Sequence, residues 1–293
     1  MNKANPLLRI QLGQTLFILQ GLSSTQITEL SQAWGPFLSV QHSLSTDKRT
    51  DSQMEKSQEG SAKETWFIQY KTEAWPQRLT SDYQRADDLF LVIESTVEKR
   101  VLSWIDGSLG AIEASVQVIL QKALASRGGF LVHASAGVYQ GRGILFPGVS
   151  GTGKSTIARE AGFDEVLSDE MVIIEFCFSS STQQEHHGYQ LYSTPFWSEG
   201  RSLPLIISNA PLALMCIPQQ ANQAKLLPCT QAEAISHLLS AITLYEDSDT
   251  TSVHRKTELF HSACHLCAQI PSQKLLFPKI GPWLDLLSWP KGF

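Results

Sequence analysis

At 293 residues, with 42% hydrophobic and 17% charged side chains, the chain suits one large or two smaller globular domains. A formal net charge of −5 excludes a general affinity for nucleic acid, so any basic site must be local. With no 18-residue apolar run and no long apolar stretch behind Met1-Asn2-Lys3-Ala4-Asn5-Pro6, no membrane span or leader is expected, and five cysteines, an odd number, point to reduced thiols and a cytoplasmic location.

Residues 7–20 alternate well enough for one or two strands, and 26–34 fit a short helix. The stretch 42–63 holds almost no apolar side chain. Burial there cannot offset the entropy of ordering, so it reads as a disordered surface insertion. Strand character resumes at 65–70, 89–94 and 100–106. Residues 1–110 therefore read as a β-rich accessory domain and 111–293 as a nucleotide-binding catalytic domain.

The second part opens with a helix over 111–126, in which Ile112, Val116, Ile119, Leu120 and Leu124 share one face and Gly128-Gly129 supplies the stop. Strands at 130–139 and 143–146 follow, joined by a turn at Gln140-Gly141-Arg142-Gly143 as a hairpin. The second strand runs into Gly148-Val149-Ser150-Gly151-Thr152-Gly153-Lys154-Ser155-Thr156 and then into a helical pattern. This G-x-x-x-x-G-K-S order of strand, glycine loop and helix is the pattern of a phosphate-binding loop. Glycines let backbone N–H groups turn inward around phosphate oxygens, and the helix start adds free N–H groups of its own. Gly148, Ser150, Gly151, Thr152, Gly153, Lys154, Ser155 and Thr156 are thus the candidate nucleotide-binding residues. Lys154 can reach the β- and γ-phosphates, and the Ser155 hydroxyl can ligate Mg²⁺. The plainer alternative is a tight turn that merely joins strand to helix.

Phosphoryl chemistry also needs a carboxylate beyond the next strand to hold Mg²⁺ or its water. Asp169 and Glu170, fifteen and sixteen residues after Lys154, occupy that place, with an exposed turn as the alternative. His133, on the strand paired with the loop strand, can orient a nearby carboxylate or simply be a hydrogen-bonded structural histidine. Gly162 reads as a helix stop. Strands are expected at 171–176, 189–192 and 211–217. In the loop from Thr194 to Arg201, Arg201 could meet a γ-phosphate and Trp197 could stack on a base; a structural loop is the alternative. Thr230 with Glu233 forms a capping box for a helix carrying Ile235, Leu238, Leu239 and Ile242, and a further helix spans 253–270. His261-x-x-Cys264-x-x-Cys267 has metal-like spacing, yet Phe260, Ala263, Cys264 and Cys267 share one helical face, which favours core packing. The apolar tail 283–289 should dock.

In this order, Leu131-Val132-His133-Ala134, the loop 148–156 and Leu167-Ser168-Asp169-Glu170 resemble the catalytic core of the HPr kinase/phosphorylase family. The likeness covers about 111–245 and lies nearer to the divergent HPr-kinase-like proteins found with peptide-modification cassettes than to the carbon-control enzyme. It implies an α/β phosphate-loop kinase core of the phosphoenolpyruvate-carboxykinase type rather than an ordinary parallel sheet, behind an N-terminal β-rich domain. It further implies ATP-dependent phosphoryl transfer to a serine hydroxyl. Asp169 would be the general base, His133 would sit beside it, and Lys154 would complete the catalytic set. Mg²⁺ would be held by Ser155, Glu170 and Asp169. The family's acidic pair is usually two aspartates; here the second is Glu170.

The expectation is a kinase that uses ATP and Mg²⁺ on a hydroxyl of a peptide, protein or small metabolite. A nucleotide-hydrolysing switch or a nucleotide-binding module acting on a partner protein is the alternative. No nucleic acid or membrane partner is expected, and homo-oligomerisation is left open.

Overall fold

The computed structural model describes residues 7–41, 62–71, 83–86, 90–95, 98–105, 107–179, 186–197, 203–243, 252–287 and 289. Most of the expected insertion, residues 42–61, lies outside them. The described residues form a mixed α/β protein with two sheets and five α-helices. None of these helices is long and apolar enough to cross a membrane. The chain divides into two compact units, Met1–Leu120 with Tyr245–Asp249 and Gln121–Leu244 with Thr250–Phe293.

In the first unit, β1 (Leu7–Leu12) and β2 (Thr15–Gln20) make a hairpin turned at Gly13, whose φ of 58 suits glycine. Alternation directs Leu8, Ile10 and Leu12 from β1 and Phe17 and Leu19 from β2 into the core. Helix α1 (Ser24–Trp34) starts with a capping box between Ser23 and Gln26. Strands β3 (Leu38–Gln41), β4 (Glu64–Lys71), β5 (Tyr83–Ala86), β6 (Phe90–Ser95) and β7 (Arg100–Ile105) complete a sheet of order β3-β1-β2-β4-β7-β6-β5. Helix α2 (Leu109–Ala125) begins in the first unit and, past the division at Leu120, ends as its glycines direct. The Gly129 N–H bonds the Leu124 carbonyl at 2.8 Å and the Gly128 N–H bonds Ala125, with Gly128 at φ 69.

The second unit is built around β8 (Phe130–Tyr139). A turn with positive φ at Gln140 and Gly141 returns the chain into β9 (Arg142–Pro147), which gives the expected hairpin. After α3 (Lys154–Glu160), ended by Gly162 at φ 93, come β10 (Glu165–Ser168), β11 (Met171–Ser179), β12 (His186–Tyr192) and β13 (Asn209–Gln220). Then follow β14 (Lys225–Pro228), α4 (Gln231–Ala241), α5 (Ser252–Gln269) and β15 (Ser272–Phe277). The sheet order is β10-β8-β11-β12-β13-β15-β14, with β9 joining β8 to β13. Because β9 is antiparallel to β8 and parallel to β13, the sheet is mixed. Ile144 and Phe146 belong to one apolar cluster and Leu145, between them, to another, so this sheet is buried on both faces. Leu238 of α4 and Ala263 of α5 fill the Leu145 side; Ile157 of α3, Trp283 and Leu284 fill the other, so the apolar tail does dock.

Candidate functional site

Every residue proposed from the sequence as chemically active, apart from those in the Thr194–Arg201 loop, lies on or beside β8. The second half of β8 is flanked by β9 on one edge and β10 on the other, since both pair with Ala136–Val138. Its first half pairs with β11, His133 standing opposite Met171. The glycine loop leaves the β9 edge and the acidic pair lies on the β10–β11 edge.

On the loop edge, the first loop amide, that of Gly148, donates to the His133 carbonyl at 3.1 Å. Gly151 and Gly153 hold φ of 85 and 95, values that L side chains resist. A Cβ on Gly148 would stand 2.5 Å from Thr152 Oγ1, so glycine is also needed for close approach. The Val149 carbonyl gathers the loop's internal bonds. It accepts from Thr152 N–H at 3.4 Å, Thr152 Oγ1 at 2.9 Å and Lys154 Nζ at 3.1 Å. Lys154 is only 6% exposed, and Ser155 and Thr156 are half-buried at the start of α3.

On the other edge, β10 and β11 run along β8 with a break at Asp169-Glu170. The Ser168 hydroxyl makes that bend: buried, it accepts the N–H groups of both Glu170 (3.2 Å) and Met171 (3.1 Å). The Glu170 carbonyl takes the Ala134 N–H at 3.0 Å, locking the bend to β8. Asp169 is buried at 7% exposure, whereas Glu170 reaches outward to His133, with Nδ1 and Oε1 3.2 Å apart. His133 thus meets Glu170 at hydrogen-bonding distance, where the resemblance set it beside Asp169. The register of β8 on β11, together with the Ser168 bend, decides which carboxylate it meets.

The electrostatics join the two edges. The His133 hydrogen bond, against the opposing effect of burial, holds the Glu170 carboxyl below its usual range, with the charges of His133 and Lys154 adding to the effect. Burial pushes the Lys154 ammonium below its ordinary value, while Glu170 and then Asp169 pull it back. One lysine and two carboxylates therefore share one field.

Thr194, fully buried, donates through Oγ1 to the Met171 carbonyl at 2.6 Å, which fixes the loop after β12 to the strand that follows the acidic pair. The Trp197 indole N–H is bonded to the Thr194 carbonyl at 2.9 Å; Arg201 lies outside the described residues. Sequence reasoning passed over Ser168 and Thr194. For Ser168 a signal existed, a serine just ahead of two amides at a strand break, which is a common local turn. Among the described residues, no group of three or more His, Cys, Asp or Glu side chains is placed to hold a metal ion by itself. Cys267 of α5 is buried, which pushes its thiol up to about 12.

Fold and site define a mixed α/β protein whose glycine loop and buried lysine face a carboxylate pair across one strand. The family model for the SynChlorMet cassette protein ScmC matches residues 105–283, more than half of the chain, and the chain belongs to that family. This match corrects the expected membership of the HPr kinase/phosphorylase family. The residues that carried that resemblance are few and local, of kinds that phosphate chemistry favours in unrelated chains. They already departed from it at Glu170. No curated protein matches the chain.

Proposed function

We propose that this chain catalyses Mg-ATP-dependent phosphoryl transfer to a hydroxyl, of serine type, on a peptide, protein or small metabolite. The observation that supports the reading best is the convergence on His133. Its carbonyl holds the first amide of the glycine loop, and its ring holds a carboxylate that shares a field with the buried Lys154. The mixed sheet, with β9 between an antiparallel and a parallel neighbour, favours a kinase core of the phosphoenolpyruvate-carboxykinase type over an all-parallel one.

The residues present suit a bound Mg-nucleotide. The loop cannot admit a Cβ at Gly148 without displacing Thr152, and it turns through two positive-φ glycines, a backbone form that can direct amides toward phosphate oxygens. Lys154 sits at the loop's centre on the Val149 carbonyl, from which a phosphate oxygen can take it over. Ser155 and Glu170 are the residues that would hold Mg²⁺; a carboxylate kept ionised by His133 and Lys154 is suited to a cation. Such an ion neutralises charge on the transferred group. Lys154 contributes further positive charge there, and Asp169, next to the metal ligand but more enclosed, takes the proton of the acceptor hydroxyl as that oxygen bonds to the γ-phosphorus and the bond to the bridging oxygen breaks, releasing ADP.

The test is incubation with γ-labelled ATP, Mg²⁺ and serine-bearing acceptors. The matched family's description as a cassette protein makes products of the same cassette the first to try. Label retained on an acceptor supports transfer. Label released only as inorganic phosphate, whatever acceptor is added, replaces transfer by hydrolysis.

A further inference from the structure

The glycine loop is followed by a helix of only 7 residues. So short a helix is not stable alone in water, so tertiary contacts decide where it sits. Residues near the end of the chain grip it at both ends.

At the first end, Gly153 lies against Phe277, the last residue of β15. A Cβ on Gly153 would be 2.7 Å from the ring's Cζ and 3.2 Å from Gln220 Nε2. The Phe277 ring is buried, and its carbonyl accepts the Ala221 N–H at 2.8 Å, so the ring has little freedom to withdraw. At the far end, the amides of Trp283 and Leu284 both donate to the Ala161 carbonyl, at 3.3 and 3.0 Å, satisfying a carbonyl that the helix leaves open. Gly281 passes so near that a Cβ would lie 1.7 Å from the Glu160 carbonyl oxygen, and its N–H reaches the Glu160 carboxylate at 3.4 Å. The rings of Phe277 and Trp283, with centroids 5.8 Å apart, connect the two grips within the cluster that holds Ile157 and Ala161.

We propose that Phe277 to Leu284 is a two-point clamp that positions the glycine loop for nucleotide, with Phe277 and Trp283 as its positioning residues; this rests on the nucleotide reading above. Gly153 immediately precedes Lys154, so any retreat of the ring at Gly153 moves the last loop amides and the lysine together. Small displacements of a binding element of this kind carry large losses.

The experiment uses the full chain and three variants, Phe277→Ala, Phe277→Leu and, as a control in the other apolar cluster, Leu238→Ala. Two quantities are read: amide hydrogen exchange at 148–156 without nucleotide, and the Kd for Mg-ATP. Phe277→Ala is expected to speed loop exchange and raise Kd by about tenfold or more, with Phe277→Leu restoring most of both. Leu238→Ala should lower the melting temperature at least as much yet leave loop exchange and Kd within about twofold of the parent. Should Phe277→Ala not fold, Phe277→Leu and Trp283→Phe carry the same expectation at smaller size. Unchanged loop exchange in the Phe277 variants, or an equal change in Leu238→Ala, overturns the clamp. If the parent protein binds no Mg-ATP, the nucleotide reading falls, and the clamp stands or falls on the exchange rates alone.

Discussion

The two edges of β8 are held together in different ways. On the loop edge the internal bonds are local: those to the Val149 carbonyl come from Thr152 and Lys154, three and five residues away in sequence. The acidic edge is assembled at long range. The position of Glu170 depends on pairing β11 to β8, on the Ala134–Glu170 backbone bond and on the Ser168 bend, and its partner His133 lies 37 residues earlier in the chain (170 − 133). The loop draws its internal bonds from its own residues and its place from the Phe277–Leu284 contacts, whereas a carboxylate placed by register moves with the strand that carries it. Damage to the loop edge should therefore weaken binding, and damage to the acidic edge should alter chemistry and pH response while binding persists.

The largest effect that would sharpen this contrast is expected at Lys154. Lys154→Ala should abolish turnover and weaken Mg-ATP affinity several-fold, because a neutral stem cannot replace a point charge among phosphates. Kinetics and calorimetry on the pair check it, and unchanged turnover would break the loop assignment. On the other edge, Asp169→Asn should retain Mg-nucleotide binding while transfer falls by about 10²–10⁴, the usual worth of a positioned base. Loss of binding in that variant would show that the edges do not divide the work. A smaller effect is expected from Glu170→Gln, which should raise the Mg²⁺ concentration needed for activity. If high Mg²⁺ instead rescues Asp169→Asn and not Glu170→Gln, the two carboxylates exchange roles.

His133→Ala should act through Glu170. The His133 hydrogen bond is the main cause holding the Glu170 carboxyl low, so its removal lets that carboxyl rise toward the ordinary carboxylate range. The acid limb of the pH–rate profile then moves to higher pH. A carboxyl lowered in the folded state contributes stability that is present above its unfolded value and is lost as pH falls through the folded value. The variant should therefore be less stable than the parent at neutral pH, with the gap closing in acid. Denaturant melts at several pH values check the sign. The smallest effect is expected at Ser168: removing an acceptor shared by two amides in Ser168→Ala should cost about 1–3 kcal/mol of stability. A larger loss of activity than of stability there would show that the bend itself aims Glu170.

What the sequence disclosed follows the same division. The strand–turn–helix path of the glycine loop, the Gly128-Gly129 stop, the turn at Gln140-Gly141 and the Thr230–Glu233 capping box all depend on residues within a few positions of one another, and all stand in the structure as local geometry where their spacing implied. The partner of His133 was not legible, because it depends on which residue of β11 faces it, and neighbours 169 and 170 differ by one step of register. Strands β14 and β15 escaped for the same reason. Lys225–Pro228 and Ser272–Phe277 are short and partly polar, and β15 becomes a strand by pairing in parallel with β13 far away in the chain. The family is not legible in a few loop and carboxylate positions, because the match that shows it extends over residues 105–283.

The most direct test of the central claim, that nucleotide is held between the two edges of β8, is amide hydrogen exchange of the parent protein with and without Mg-ATP. The expected result is slowed exchange concentrated at 148–156 and at Asp169-Glu170, with the first unit unchanged. Protection confined to other segments, or none at saturating Mg-ATP, would contradict it.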